Sequence, residues 1–117
     1  MSDQGTQVGT DLSSLEKLGA GPTRTGAVEH LPAHGRFRLL VDGREVAVLD
    51  YRRLPHTWNI VHTYTEPASR GYGVASDLVR SVLDVARAEG FKIIPTCPYV
   101  AWWIGEHSGY EDLVADA

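Results

Sequence analysis

Three features of this sequence have residue types and spacing that suit chemistry. The first is Arg70-Gly71-Tyr72-Gly73-Val74-Ala75, which follows a β-branched run and precedes an amphipathic one. Two glycines where a chain leaves a strand let backbone N–H groups approach a ligand, because neither has a Cβ to hold it off. A helix starting there adds unpaired N–H groups and about half a positive charge. Arg70 adds a fixed cation, and together these suit a phosphate. The spacing is not that of a P-loop, which ends in Gly-Lys-Ser/Thr, nor that of a G-x-G-x-x-G dinucleotide site. The second feature is Cys97, immediately before Pro98. Proline suits the first position of a helix, so Cys97 is expected at a helix N-terminus, where the dipole favours a thiolate. The third is His62, on the run Ile60-Val-His-Thr-Tyr-Thr65. If that run and the strand leading to Cys97 are neighbours, about 5 Å apart, His62 can reach Cys97. Such a pair supports covalent catalysis by a thiolate. Alternatively, His62 serves as a base for an incoming acceptor and Cys97 only tunes the pocket.

The elements that must position these groups can be read from periodicity and turn chemistry. Val74, Leu78, Val82 and Val85/Ala86 recur at helical spacing, with Asp77, Arg80, Ser81, Asp84 and Arg87 between them, and Glu89-Gly90 is a stop signal. Strands are expected at 27–31, 36–41, 44–51 and 58–65, with Asp42-Gly43 as a two-residue hairpin turn. Residues 91–97 form the last strand, parallel to 58–65 because a crossover helix joins them. Pro95 cannot donate a ladder hydrogen bond, so the two strands should part near it. Residues 98–107 then form a short helix with Val100, Trp103 and Ile104 inward, and Tyr110 and Leu113 cover the end of the sheet. The expected fold is α+β or α/β: a mixed sheet of about five strands, mostly antiparallel with one splayed parallel pair, a crossover helix and a short C-terminal helix. Residues 1–26 are rich in Gly, Ser, Thr and Gln and are expected to form a disordered tail. A single helical turn is possible there, around the capping-box pair Ser13 and Glu16. The folded domain is then 27–117.

Composition narrows the classes. A chain of 117 residues with 43% hydrophobic residues has room for one domain and a modest core. A net charge of −4 without a basic run argues against a nucleic-acid groove. No apolar stretch is long enough to span a bilayer and no signal peptide is evident, so no membrane association is expected. A single Cys cannot form an internal disulfide, which points to a reducing cytoplasm. The five His lack zinc-site spacing, and no metal is expected. His30, His34, His56 and His107 read as surface residues. The hairpin edge could pair with a second copy, so a monomer or weak dimer is expected.

Ile60-Val-His-Thr-Tyr-Thr65, the Arg70-Gly-x-Gly-Val-Ala-Ser76 loop and Ile93-Ile-Pro-Thr-Cys-Pro-Tyr-Val100 occur in that order and spacing. Over about residues 28–114 the sequence resembles the minimal, single-domain branch of the GNAT superfamily of N-acetyltransferases. The resemblance implies acetyl-CoA bound between two splayed parallel strands, with backbone N–H groups of Arg70, Gly71, Tyr72, Gly73, Val74 and Ala75 on its pyrophosphate. It places His62 and Cys97 near the thioester and implies transfer of the acetyl group to an amine. Thr63 and Thr65 lie opposite His62 by strand alternation, and a bulge would bring either near the CoA.

Several alternatives stay open. The acceptor could be a polyamine, a protein N-terminus or lysine, or a small metabolite, because so few residues separate the first two strands that the usual acceptor-site helices have no room. A CoA-binding module without transfer activity, or a Cys/His thioesterase, fits the same residues. Tyr99, Trp102 and Trp103 suit an acceptor pocket, although core packing is the favoured role. Glu66 is a weaker candidate base at the strand's end.

Overall fold

The computed structural model describes residues 18–115. Six strands form one sheet in chain order: β1 (Leu18–Pro22), β2 (Ala27–Leu31), β3 (Arg36–Val41), β4 (Arg44–Arg53), β5 (Thr57–Thr65) and β6 (Lys92–Pro95). Neighbours are antiparallel except β5 and β6, which are parallel and joined by helix α1 (Val74–Glu89). A second helix, α2 (Pro98–Glu106), and a 3-10 turn at Glu111–Leu113 complete the chain. Only the 3-10 turn Pro32–His34 and Gly35 separate β2 from β3. Among the described residues no helix is long and apolar enough to cross a membrane.

Local chemistry accounts for most of these boundaries. Asp42 and Gly43 both take positive φ, as a tight hairpin between right-twisted strands requires. Gly90 ends α1 in the left-handed region, its N–H bonded to the carbonyls of Ala86 and Arg87. The helix buries Val74, Leu78, Val79, Val82, Leu83 and Ala86 against Phe37, Leu39, Leu49, Trp58, Ile60 and Ile93 of the sheet. Val100, Trp103, Ile104 and Leu113 close the end of this core, as expected, and Tyr110 packs partly buried against it.

Two departures from the sequence expectations lie in the N-terminal strands. Leu18–Pro22, placed within a disordered tail, is instead a strand at the sheet edge, pairing Leu18 with His30 and Pro22 with Ala27. Its glycines and proline read as loop residues, and only main-chain pairing with β2 makes it a strand. The expected turn around Ser13 and Glu16 lies outside the described residues.

The second departure is His30, expected at the surface and found only 3% exposed. On β2, Val28 and His30 alternate inward. The imidazole stacks on Phe37 at 3.9 Å and shares a 2.6 Å hydrogen bond between Nε2 and the Tyr51 hydroxyl. Tyr51 and Trp58 stack at 4.6 Å beside it, so the far end of the core is aromatic. Burial pushes His30 down to about 4 and the Tyr51 hydroxyl up to about 12. His30 is therefore neutral in the fold at pH 7, whereas the unfolded chain takes up its proton below about 6.5. Between about pH 6.5 and 4 the unfolded state binds more protons, so stability falls as the pH is lowered. At about 1.4 kcal/mol per pH unit this contribution is on the order of 3 kcal/mol. Urea titrations at pH 7 and 4.5 are expected to show that loss, and His30→Gln is expected to remove most of the pH dependence.

Candidate active site

The site grows from the short overlap of β5 and β6. These strands pair only from Thr57↔Lys92 to Ile60↔Pro95, and one further bond joins the Cys97 N–H to the Ile60 carbonyl at 2.8 Å. Pro95 ends the ladder where its missing N–H predicts. Beyond it, β5 runs on to Thr65 while the chain turns into α2, and the strands diverge.

A bulge in β5 decides which side chains face this gap. Asp50 pairs with His62 but Tyr51 pairs with Ile60, leaving Val61 as an extra residue. Trp58 and Ile60 point toward α1 before the bulge, and Thr63 and Thr65 do so after it. Thr63 Oγ1 lies 3.7 Å from Cys97 Sγ. Thr65 lines a cleft of about 340 Å³, bounded also by Ser69–Gly71, the first turn of α1 and Tyr99. The bulge thus brings Thr63 and Thr65 to the helix side of the sheet.

The glycine loop has the geometry expected of it. Gly71 and Gly73 take φ of 86° and 81°, a region that residues with a Cβ rarely adopt. Nothing lies within 4 Å of where a Cβ on Gly71 would stand, so that position is open. Gly73 caps α1 in the left-handed region and no side chain caps the helix start. The first intrahelical bond is from the Asp77 N–H to the Gly73 carbonyl. The preceding N–H groups have no partner within the helix and open toward the cleft. Arg70 folds back, its Nε donating to the Thr65 carbonyl at 3.0 Å and its guanidinium lying 5.8 Å from the centre of the Tyr64 ring. The Tyr72 side chain is 72% exposed and turned outward. Glu66 is committed to Arg44 and Ser69, at 2.6 Å each, and these bonds hold its carboxyl below the usual range. It is an anchor for the loop.

Cys97 is the residue before Pro98 at the start of α2, as predicted, and is 6% exposed. His62 does not join it. Its partner across the ladder is Asp50, which bonds Arg36 on the sheet face away from α1, whereas Thr63 pairs with the core residue Leu49. His62 is exposed on that outer face. The structure therefore brings Cys97 to Thr63 and sends His62 the other way. Sequence reasoning did not single out Ser69 and named Ser76 only within the loop motif, without a role; both line the cleft. Position within a turn of the glycine loop was the only signal for them.

Residues 36–113 match the sequence profile of the GCN5-related N-acetyltransferase family. The chain belongs to this family. The sheet, its parted parallel strands and the glycine loop are the fold expected of a member. A candidate GCN5-like N-acetyltransferase from Staphylococcus aureus, solved in solution, has a similar fold, with a TM-score of 0.56 at 21% identity over 80% of this chain and 92% of that one. A ribosomal-protein-alanine N-acetyltransferase from Brucella melitensis biovar Abortus 2308 aligns with a TM-score of 0.47 at 24% identity, over 70% of this chain and 65% of that one. No curated protein matches the sequence.

One contact ties α2 to the start of α1. The indole N–H of the fully buried Trp103, on α2, donates to the Ser76 hydroxyl on the first turn of α1 at 2.8 Å. Ser76→Ala leaves that buried donor without a partner, which costs about 1–3 kcal/mol. Urea denaturation followed by tryptophan fluorescence is expected to show that loss.

Proposed function

We propose that this chain transfers an acetyl group from acetyl-CoA to an amine. The observation that carries the reading is the fork itself: two parallel strands part at Ile60 and Pro95, an uncapped helix start lies above the gap, and Cys97 and Thr63 meet at its apex. The residues present fit CoA. The open φ-positive position at Gly71 and the free N–H groups before Asp77 suit a pyrophosphate, and the cleft leads from them past Thr65 and Tyr99. The splayed gap offers β5 main-chain groups to an extended pantetheine arm.

In this reading Cys97 is the acetyl acceptor. Its sulfur attacks the thioester carbonyl, the bond to the CoA sulfur breaks, and the thiol proton leaves with CoA. An amine then attacks the acetyl-cysteine and restores the thiol. Thr63 holds Sγ at the apex. The proton that the amine sheds returns to the Cys97 sulfur, and His62, exposed on the other face of the sheet, is out of line with this attack.

Intact-protein mass spectrometry after incubation with acetyl-CoA tests the covalent step. Wild type is expected to gain about 42 Da in a hydroxylamine-labile adduct, and Cys97→Ala to gain nothing. His62→Gln, on the far face, is expected to form the adduct and to acetylate amines at close to the wild-type rate. Turnover by Cys97→Ala at the wild-type rate removes the acyl-cysteine and leaves direct transfer. Acetate release without an acetylated amine identifies a thioesterase, and CoA binding without either product identifies a binding module. Gly73→Val, which forces a β-branched residue into the left-handed region, is expected to weaken CoA by at least about tenfold in calorimetric titration.

A further inference from the structure

The glycine loop has a neighbour that precedes the family match. The turn Thr23–Gly26, between β1 and β2, lies before residue 36, yet it packs against the first turn of α1. Its own bonds define it. The Thr23 N–H donates to the Gly26 carbonyl at 2.7 Å, and Thr23 Oγ1 accepts from the N–H groups of Gly26 and Thr25 at 2.9 and 3.2 Å. Gly26 lies so close to β3 that a Cβ would stand 2.2 Å from the Leu40 carbonyl oxygen, which seats the turn on the sheet backbone. On the other side the Thr25 hydroxyl donates to Asp77 Oδ2 at 2.8 Å, fastening the turn to α1.

Between these two anchors Arg24 reaches the start of the helix. Its Nη2 lies 2.9 Å from where a Cβ on Gly73 would stand and 3.9 Å from Asp77 Oδ1, and the side chain is 78% exposed. A cation there faces the positive end of the helix dipole, an unfavourable placement by itself. Asp77 offsets it only loosely, because its other oxygen is already bonded to Thr25. The guanidinium therefore stands with exposed donors beside Gly73, at the rim between the glycine-loop cleft and an adjoining depression lined by Arg24, Ser76, Asp77 and Arg80.

We propose that Arg24 is a phosphate ligand for CoA, carried to the glycine loop by the N-terminal hairpin. The proposal rests on the reading above that this loop holds CoA. It extends the binding site beyond the family core to a hairpin turn that is pinned on both sides.

The test is calorimetric titration of CoA and of dephospho-CoA into the full chain, as wild type, Arg24→Ala and Arg24→Lys, together with each protein's ligand-free melting temperature. Arg24→Ala is expected to weaken CoA on the order of tenfold, with part of the affinity restored by Arg24→Lys and the melting temperature unchanged. Equal losses for the two ligands place Arg24 on the pyrophosphate, and a loss for CoA alone places it on the 3′-phosphate. Wild-type affinity in Arg24→Ala overturns the proposal and leaves the loop assignment standing. So does a loss that accompanies a lowered melting temperature and is not relieved by lysine. Failure of the wild-type protein to bind CoA removes the loop assignment and this proposal with it.

Discussion

The parallel pairing of β5 with β6 lasts from Thr57 to Ile60, and the site depends on how it ends. A parallel ladder normally continues until one strand stops. Here Pro95 has no N–H to offer, while the Cys97 N–H still reaches the Ile60 carbonyl, so the chain is held at the edge of β5 as it turns away. That single bond places the start of α2, and with it Cys97, at the apex of the gap. Without the break, β6 would pair along the β5 backbone at Thr63 and Thr65 and close the gap. Without the bond, Cys97 would have no fixed relation to β5.

The rest of the architecture holds the two sides of that gap apart. One side is α1, which buries an apolar stripe on the sheet and ends in glycine at both termini. The first glycine leaves the helix start uncapped and open, and the last lets the chain reverse into β6. The other side is α2, tied to α1 by the Trp103–Ser76 bond and backed by Leu113. Far from the gap, the aromatic cluster of His30, Phe37, Tyr51, Trp58 and Phe91 fills the wide end of the sheet. The chain thus concentrates its bulk and its buried polar bond at one end and its open backbone at the other. In a small domain this division is economical, because the end that binds a ligand cannot also be densely packed.

Charge follows the same division. The outer sheet face is laced by Arg36–Asp50 and by Arg38 with Glu29 and Glu45, pairs that neutralise one another. The glycine loop is different. Arg70, within the loop and folded back on the Thr65 carbonyl, and Arg24, from the N-terminal hairpin, both keep N–H donors exposed there. The helix start, with Asp77 in its first turn, thus gathers two exposed arginines in a chain whose net charge is −4.

By itself, the sequence determined everything that depends on neighbours along the chain. The Asp42-Gly43 hairpin, the helix from Val74 to Glu89 with glycines at both ends, the break at Pro95 and the placing of Cys97 before α2 are all consequences of local backbone preferences and of period-3.6 and period-2 patterning. Tertiary structure decided what depends on a partner strand. The extra residue at Val61 exists only relative to β4, so alternation alone could not show that Thr63 would meet Cys97 while His62 turned outward. His30 reads as a polar residue, and its burial follows from stacking on Phe37 across the sheet. Leu18–Pro22 carries no strand signal and pairs through its main chain. Arg24 is far from Gly73 in sequence, and the fold of the hairpin onto α1 brings them together. Register and long-range packing are set by contacts that no local window of sequence contains.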